Sequence, residues 1–182
     1  MDRTSHSEKV AFGGGCFWCT EAVFLELKGV SAVTPGYAGG NAQHPTYEQV
    51  STGTTGHAEV ILVEYDPAQI SFDALLDIFF MSHDPTTRNR QGNDIGTQYR
   101  SVIFYTTEIQ RAAAAHRIHE LEKMHRYPLP IITEVISLAA FYPAEEYHKK
   151  YYERHPDQSY SSLIIRPKVE HVRREHPELL QK

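Results

Sequence analysis

Three consecutive glycines, Gly13-Gly14-Gly15, stand between an apolar run, Val10-Ala11-Phe12, and an amphipathic segment carrying Phe17, Trp18, Ala22, Phe24 and Leu25. A hinge without side chains between an extended apolar run and a helical pattern reads as strand, tight turn, helix. The turn delivers Cys16 to the helix start, with Cys19 three residues on and the only tryptophan, Trp18, between them. No other cysteine exists in the 182 residues. Unpaired N–H groups and the helix dipole favour an anion there, so the position predicts a Cys16 thiol shifted toward the thiolate. Packing by two small apolar residues is the alternative, because buried free cysteines are common. The glycines, which allow a sharp turn and close approach of a ligand, favour redox or nucleophilic use.

The rest of the chain alternates strand and helix patterns. Lys9 to Phe12 reads as a strand, and the helix after Cys16 is expected to stop at Lys28-Gly29. Residues 30–57, rich in Gly, Thr and Pro, predict limited strand at best. Ala58 to Tyr65 is an apolar run expected to be buried on both faces. Ser71 caps a helix with Phe72, Leu75, Leu76, Phe79 and Phe80 on one face. Arg100 to Tyr105 reads as a strand, and Thr107 with Gln110 as a capping box for a helix to about Met124. Thr133 to Leu138 reads as a further strand, and Pro143 as the N1 residue of a last clear helix to about Arg154. The pattern predicts an α+β fold: a mixed β-sheet packed by helices, a ferredoxin-like or α-β sandwich core. Two long polar loops, 34–57 and 83–99, are expected to be functional. One domain over 1–182 is expected, with 1–7 and about 171–182 peripheral.

Composition excludes several classes. A net charge of -5 leaves no electrostatic footprint for nucleic acid or an anionic membrane. No apolar run nears the roughly 20 residues of a membrane span. The first residues, Met1 to Ser7, lack a secretory leader's apolar stretch, so a cytoplasmic location is expected. One C-x-x-C without a second ligand pair argues against a metal site. His116, His119 and His125 lie on the Ala-rich helix, but Lys123 stands where a zinc-protease motif needs histidine, so a solvated face is expected. Glu59 carries a carboxylate into an otherwise apolar strand; facing inward, it would be desolvated and stay protonated near neutrality, ready to act as a general acid. Tyr47, Asp94 and Tyr99 in the polar loops are weak signals singly.

Together these segments resemble the peptide methionine sulfoxide reductase A family. The match runs through Gly14-Gly15-Cys16-Phe17-Trp18, Gly36-Tyr37-Ala38-Gly39-Gly40, Pro45-Thr46-Tyr47 and Gly53 to Glu59, then Tyr65-Asp66-Pro67. It resumes at His83-Asp84-Pro85, Arg90 to Asp94, Gln98 to Ser101, and Ala144 to His148. The resemblance implies an enzyme that reduces methionine sulfoxide, free or in proteins, with preference for the S epimer, as repair of oxidative damage. It implies Cys16 as the nucleophile, Glu59 as the acid, and Tyr47 and Tyr99 as donors to the sulfoxide oxygen. Asp94 supports the site, and Phe17 and Trp18 receive the S-methyl group, with Gly15 and His57 in the substrate-binding set. The sulfenic acid left on Cys16 is resolved in many relatives by a cysteine near the C-terminus. Here Ser159-Tyr160-Ser161 stands in that region, and Cys19 is the only intramolecular candidate. A C-x-x-C disulfide reduced by thioredoxin is expected; direct reduction of Cys16 by another external thiol remains open. No bound cofactor and no metal are expected, and a monomer is assumed. A thioredoxin-like disulfide oxidoreductase and a small metal-binding or interaction domain are the rival readings.

Overall fold

The computed structural model describes residues 7–181. The chain's first element, β1 (Glu8–Gly13), leads through the glycine turn into α1 (Phe17–Phe24). Next come β2 (Val30–Ala38), the short α2 (Tyr47–Ser51), β3 (Ala58–Tyr65) and α3 (Phe72–Ser82). A two-stranded hairpin, β4 (Arg90–Gln91) and β5 (Asp94–Ile95), precedes β6 (Val102–Tyr105) and α4 (Glu108–Lys123). The remainder is β7 (Glu134–Ser137), β8 (Phe141–Pro143), α5 (Tyr151–Arg154) and α6 (Arg166–Glu175). Six strands form one mixed sheet in the order β7-β6-β1-β3-β2-β8, antiparallel except for the β6–β7 pair. The expected α+β architecture is thereby met.

The sheet separates two apolar layers of unequal size. On one face Phe12, Phe24, Leu75, Leu76 and Phe79 are buried with Ile165, Val169 and Val172. Phe12 lies at the centre of this layer, with its ring 5.2 Å from Phe24, 6.4 Å from Phe72 and 4.9 Å from Phe79. The other face is a thin cluster of Ala11, Ala38, Ala58, Val60, Val102 and Phe104. Five of its six residues are Ala or Val, so this layer has little depth. Ala58 to Ile61 are buried whichever way they point, but Leu62 and Glu64 reach partly to solvent. Burial on both faces holds for the first half of β3 only.

The helix caps follow the expected chemistry. Ser71 accepts from the Ala74 N–H at 3.1 Å, and Thr107 from the Gln110 N–H at 3.2 Å. Gln110 closes its side of the arrangement one residue early, accepting from the Thr106 N–H at 2.8 Å. His116, His119 and His125 are exposed as expected.

Four expectations are corrected. The region 30–57 contains a nine-residue strand, β2, despite Pro35 and Gly36. Pro35 has no N–H to offer, yet its carbonyl accepts from Ala144 at 2.8 Å, so the ladder with β8 survives. The first helix ends at Phe24 rather than Lys28, and Gly29 (φ +79) turns the chain into β2 where an added Cβ would fall 2.8 Å from Gln69 and 3.0 Å from Ile70. Pro143 closes β8 instead of opening a helix, because Gly36 pairs with it across the strand. The tail is not peripheral throughout: Val172 is fully buried, and Leu27 bridges to Leu180. The expectation for 1–6 lies outside the described residues, and Ser7 is exposed. Among the described residues, no helix is long and apolar enough to cross a membrane.

Truncating Phe12 to alanine removes the ring shared by three aromatic neighbours. Urea unfolding of Phe12→Ala should give a loss of about 3–5 kcal/mol; a loss under about 1 kcal/mol would mean that the layer does not depend on this ring.

Candidate active site

The glycine turn brings the thiols, an acid and an aromatic cluster to one end of the sheet. Gly15 has φ +95, and a Cβ there would fall 2.6 Å from the Gln91 side chain. Gly14 is crowded by His83, whose ring carbon would lie 3.0 Å from such a Cβ. The room left by the missing side chains is therefore filled by protein, and Gly15 is buried beneath the β4–β5 hairpin. Its part in the site is to shape the turn, not to face a ligand.

Cys16 occupies the N-cap of α1, as the spacing predicts. The donor at that helix start goes elsewhere, however. The Phe17 N–H donates to Glu59 Oε2 at 3.1 Å. Glu59 is the second residue of β3, only 2% exposed, and pairs across the ladder with Tyr37. Burial pushes its carboxyl up to about 8, partly offset by the Phe17 hydrogen bond and reinforced by the charge of Asp94. An acid in that state is protonated at neutral pH.

The thiols differ from the expectation for Cys16. Burial raises its pKa well above the ordinary thiol value, and the Cys19 thiol and the Glu59 charge add to the rise. Desolvation by the packed surroundings outweighs the helix terminus, whose first N–H is occupied by Glu59. Cys19 moves the other way, to about 7, because the Cys16 thiol donates to it; Lys168 and Tyr160 also favour its anion against the cost of burial. Tyr160 Oη lies 3.7 Å from Cys19 Sγ and donates to Asp94 Oδ2 at 3.0 Å. Both cysteines are free thiols.

Phe17 is buried, its ring centroid 5.9 Å from Tyr37, 6.4 Å from Tyr47 and 5.0 Å from His148. Trp18 is half-buried and stacks on Tyr151 at 3.7 Å with the rings 4° from parallel. Its indole N–H donates to His148 Nδ1 at 3.0 Å. One turn further along α1, buried Glu21 accepts from the Lys150 N–H at 2.9 Å. Trp18 and Glu21 thus share a helix face and hold the segment 148–151 between them. Glu145 ties the opposite wall: it accepts from the Tyr47 N–H at 2.7 Å and from the Tyr37 hydroxyl at 2.8 Å. Tyr47 opens α2 behind a Thr46–Gln49 capping box. Burial and then the Glu59 charge raise the phenol pKa of both Tyr47 and Tyr99, which stay protonated donors.

Cys16, Glu59, Tyr47, Tyr99, Asp94, Phe17, Trp18 and Cys19 are therefore drawn together. His57 is not among them. Its Nδ1 accepts from the Gly40 N–H at 3.0 Å and its Nε2 bonds the Ala42 carbonyl at 2.7 Å, so both ring nitrogens fasten the 40–42 loop. Sequence reasoning left Tyr160, His148, Tyr151 and Glu145 without roles. The Ala144 to His148 match was the available signal for two of them; nothing in composition marks Tyr160.

A cavity of about 570 Å3 opens on both cysteines between the β4–β5 hairpin and the 160–168 segment. Another, of about 590 Å3, lies around Thr54, Arg88, Arg100 and Glu134. No cysteine lines it, and Arg100 is engaged there by the carbonyls of Thr97 and Gly56 and by Glu134. Among the described residues no cluster of three or more His, Cys, Asp or Glu could hold a metal ion.

Paired thiols beside a protonated buried acid and phenol donors make this a thiol-dependent oxidoreductase that works on a polar, protonatable oxygen. A family model described as peptide methionine sulfoxide reductase matches residues 8–180. The chain is 56% identical over 162 residues to peptide methionine sulfoxide reductase MsrA of Acinetobacter baumannii (strain AYE), covering 89% of this chain and 92% of that one. Methionine sulfoxide reductase A of Corynebacterium diphtheriae is structurally similar, with a TM-score of 0.74 and 36% identity over 85% of this chain and 77% of that one. Reduced Mxr1 from Saccharomyces cerevisiae gives 0.78 and 33%, covering 86% and 90%. The chain belongs to the peptide methionine sulfoxide reductase family, whose members reduce methionine sulfoxide to methionine.

Keeping Glu59 protonated has a stability cost. Its carboxyl titrates near 4.5 when solvated and about 8 when folded, so the folded state binds the extra proton and loses stability as pH rises from about 4.5 to 8. Glu59→Gln retains an acceptor for Phe17 and removes that titration. Thermal or urea unfolding should show the variant more stable by about 3 kcal/mol at pH 7 and little changed near pH 4. Equal stability at both pH values would refute the burial account.

Proposed function

We propose that Cys16 attacks the sulfoxide sulfur while Glu59 protonates its oxygen and Tyr47 and Tyr99 donate hydrogen bonds to it. The reading is carried by one observation: a carboxyl that stays protonated at neutral pH, anchored to the N–H of the residue after the nucleophile. A sulfoxide sulfur is a poor electrophile until its oxygen gains a proton, so an acid poised near the working pH is the needed partner. The thiol of Cys16 is protonated at rest, so its proton leaves as the substrate's oxygen is protonated. A new bond forms between Cys16 sulfur and substrate sulfur; the oxygen then passes to Cys16 as a sulfenic acid, and methionine departs. Phe17 and Trp18 receive the S-methyl group, and the stack of Trp18 on Tyr151 supports a fixed wall for it. Preference for the S epimer, on free or protein-bound substrate, goes with the family.

Cys19 is read as the resolving thiol. Its sulfur is hydrogen-bonded to Cys16 and its anion is accessible near pH 7. Attack on the sulfenic acid expels water and leaves a Cys16–Cys19 disulfide, which an external dithiol reduces. Thioredoxin is the proposed reductant; the relative Mxr1 from Saccharomyces cerevisiae has been captured in complex with Trx2.

Cys16→Ser should abolish sulfoxide reduction in a methionine-release assay, and appreciable remaining turnover would remove Cys16 from the mechanism. Cys19→Ser should release about one methionine per enzyme and then stall with thioredoxin; full thioredoxin-dependent turnover would exclude Cys19 as resolver. The single-turnover rate should fall as pH rises through about 8, where Glu59 ionises. In Glu59→Gln that alkaline limb should vanish and the rate drop by about 10²–10⁴-fold; a change below about threefold would count against the acid role.

A further inference from the structure

The two cysteine residues meet the outside differently. Cys19 is 2% exposed, whereas Cys16 is half-buried, and the cavity between the β4–β5 hairpin and the 160–168 segment reaches them both. Leu163, 72% exposed, stands at the rim of this cavity, and Tyr160 and Lys168 line it. The aromatic residues read as the sulfoxide's walls, Phe17, Tyr47 and Tyr99, are not part of its lining.

Resting on the reading that Cys19 resolves, we propose that the Cys16–Cys19 disulfide is opened at the Cys16 sulfur. The thiolate of a dithiol protein enters through this cavity, and the Tyr160 hydroxyl receives the departing Cys19 thiolate. Thiol–disulfide exchange needs an accessible sulfur to attack and a leaving thiolate that is stable where it lands. Cys16 supplies the access. Cys19 supplies the leaving group, with Tyr160 Oη 3.7 Å from its sulfur. That hydroxyl carries one proton, donated to Asp94 at rest, and it can turn to whichever sulfur becomes charged. Lys168, on the cavity wall, also favours the Cys19 anion.

The reverse polarity would require an incoming thiolate to reach a sulfur that is almost sealed. The balance closes with the dithiol alone. Its first thiolate bonds to Cys16 sulfur as the Cys16–Cys19 bond breaks, and the electron pair leaves on Cys19, which takes a proton from solvent. Its second thiol then attacks the first, breaking the bond to Cys16 and freeing the reduced enzyme. Two electrons pass from the dithiol, which ends as a disulfide.

The test begins with the full chain oxidised by one turnover, where a loss of two hydrogens by intact mass establishes the disulfide. Without that loss the Cys19 reading itself falls, and this inference with it. The disulfide form is then mixed with thioredoxin whose second active-site cysteine is serine, free thiols are alkylated, and fragment mass spectrometry locates each adduct. Thioredoxin on Cys16 with the alkyl group on Cys19 is the expected result; thioredoxin on Cys19 overturns the proposal. Tyr160→Phe, carried through the same first step to show that its disulfide forms, should slow the opening by roughly tenfold, the weight of one charge-assisted hydrogen bond. An unchanged opening rate would remove the hydroxyl from the step.

Discussion

The hydrogen bond from the Phe17 N–H to Glu59 joins the start of a helix to the start of a strand 42 residues later. Everything at the site is arranged around it. It gives one lone pair of a buried carboxyl a partner, without which the group would be far costlier to bury. It also takes up the first of the N–H groups that the helix start leaves without an intrahelical partner. The helix terminus therefore steadies the acid, while burial keeps the Cys16 thiol protonated at rest. A resting thiol is less exposed to indiscriminate oxidation than a resting thiolate.

The aromatic wall is held from two sides by carboxylates that touch no substrate group. Glu145 accepts from Tyr37 and from the backbone of Tyr47, and Glu21 accepts from the backbone at Lys150. Lys150 sits in the left-handed region at φ 53, a strained conformation for lysine, just before Tyr151 stacks on Trp18. Glu21 is pushed up to about 7 by its burial. Polar groups of this kind fix the geometry of the aromatic wall at some cost in stability.

The legible parts of the sequence were those where one local signal dominates. Ser71 before an i, i+3, i+4 apolar pattern gave α3, and the nearly continuous apolar run from Ala58 to Tyr65 gave β3. The glycine turn placed Cys16 correctly because no other reading accommodates three glycines between two apolar patterns. β2 was missed because Pro35 and Gly36 argue locally against a strand, while its ladders are made with residues far along the chain. Residues 161–175 were missed because Ile165, Val169 and Val172 are spaced among charges, and a π-turn over 161–165 precedes the regular helix. At the site, residue types revealed which groups could react; the resemblance grouped them, and only coordinates showed that the N-cap donor belongs to Glu59. The role first given to His57 failed because a sequence cannot show that both ring nitrogens face backbone.

The sheet finishes at one side with β8, a strand of three residues closed by Pro143. At the other side β7 has four residues and begins with Glu134. A ragged margin of this kind offers an arriving extended chain few N–H and C=O groups to zip onto. Neither end of the sheet leaves a long, flat strand for a second chain to pair with, so the frame itself resists being lengthened from outside.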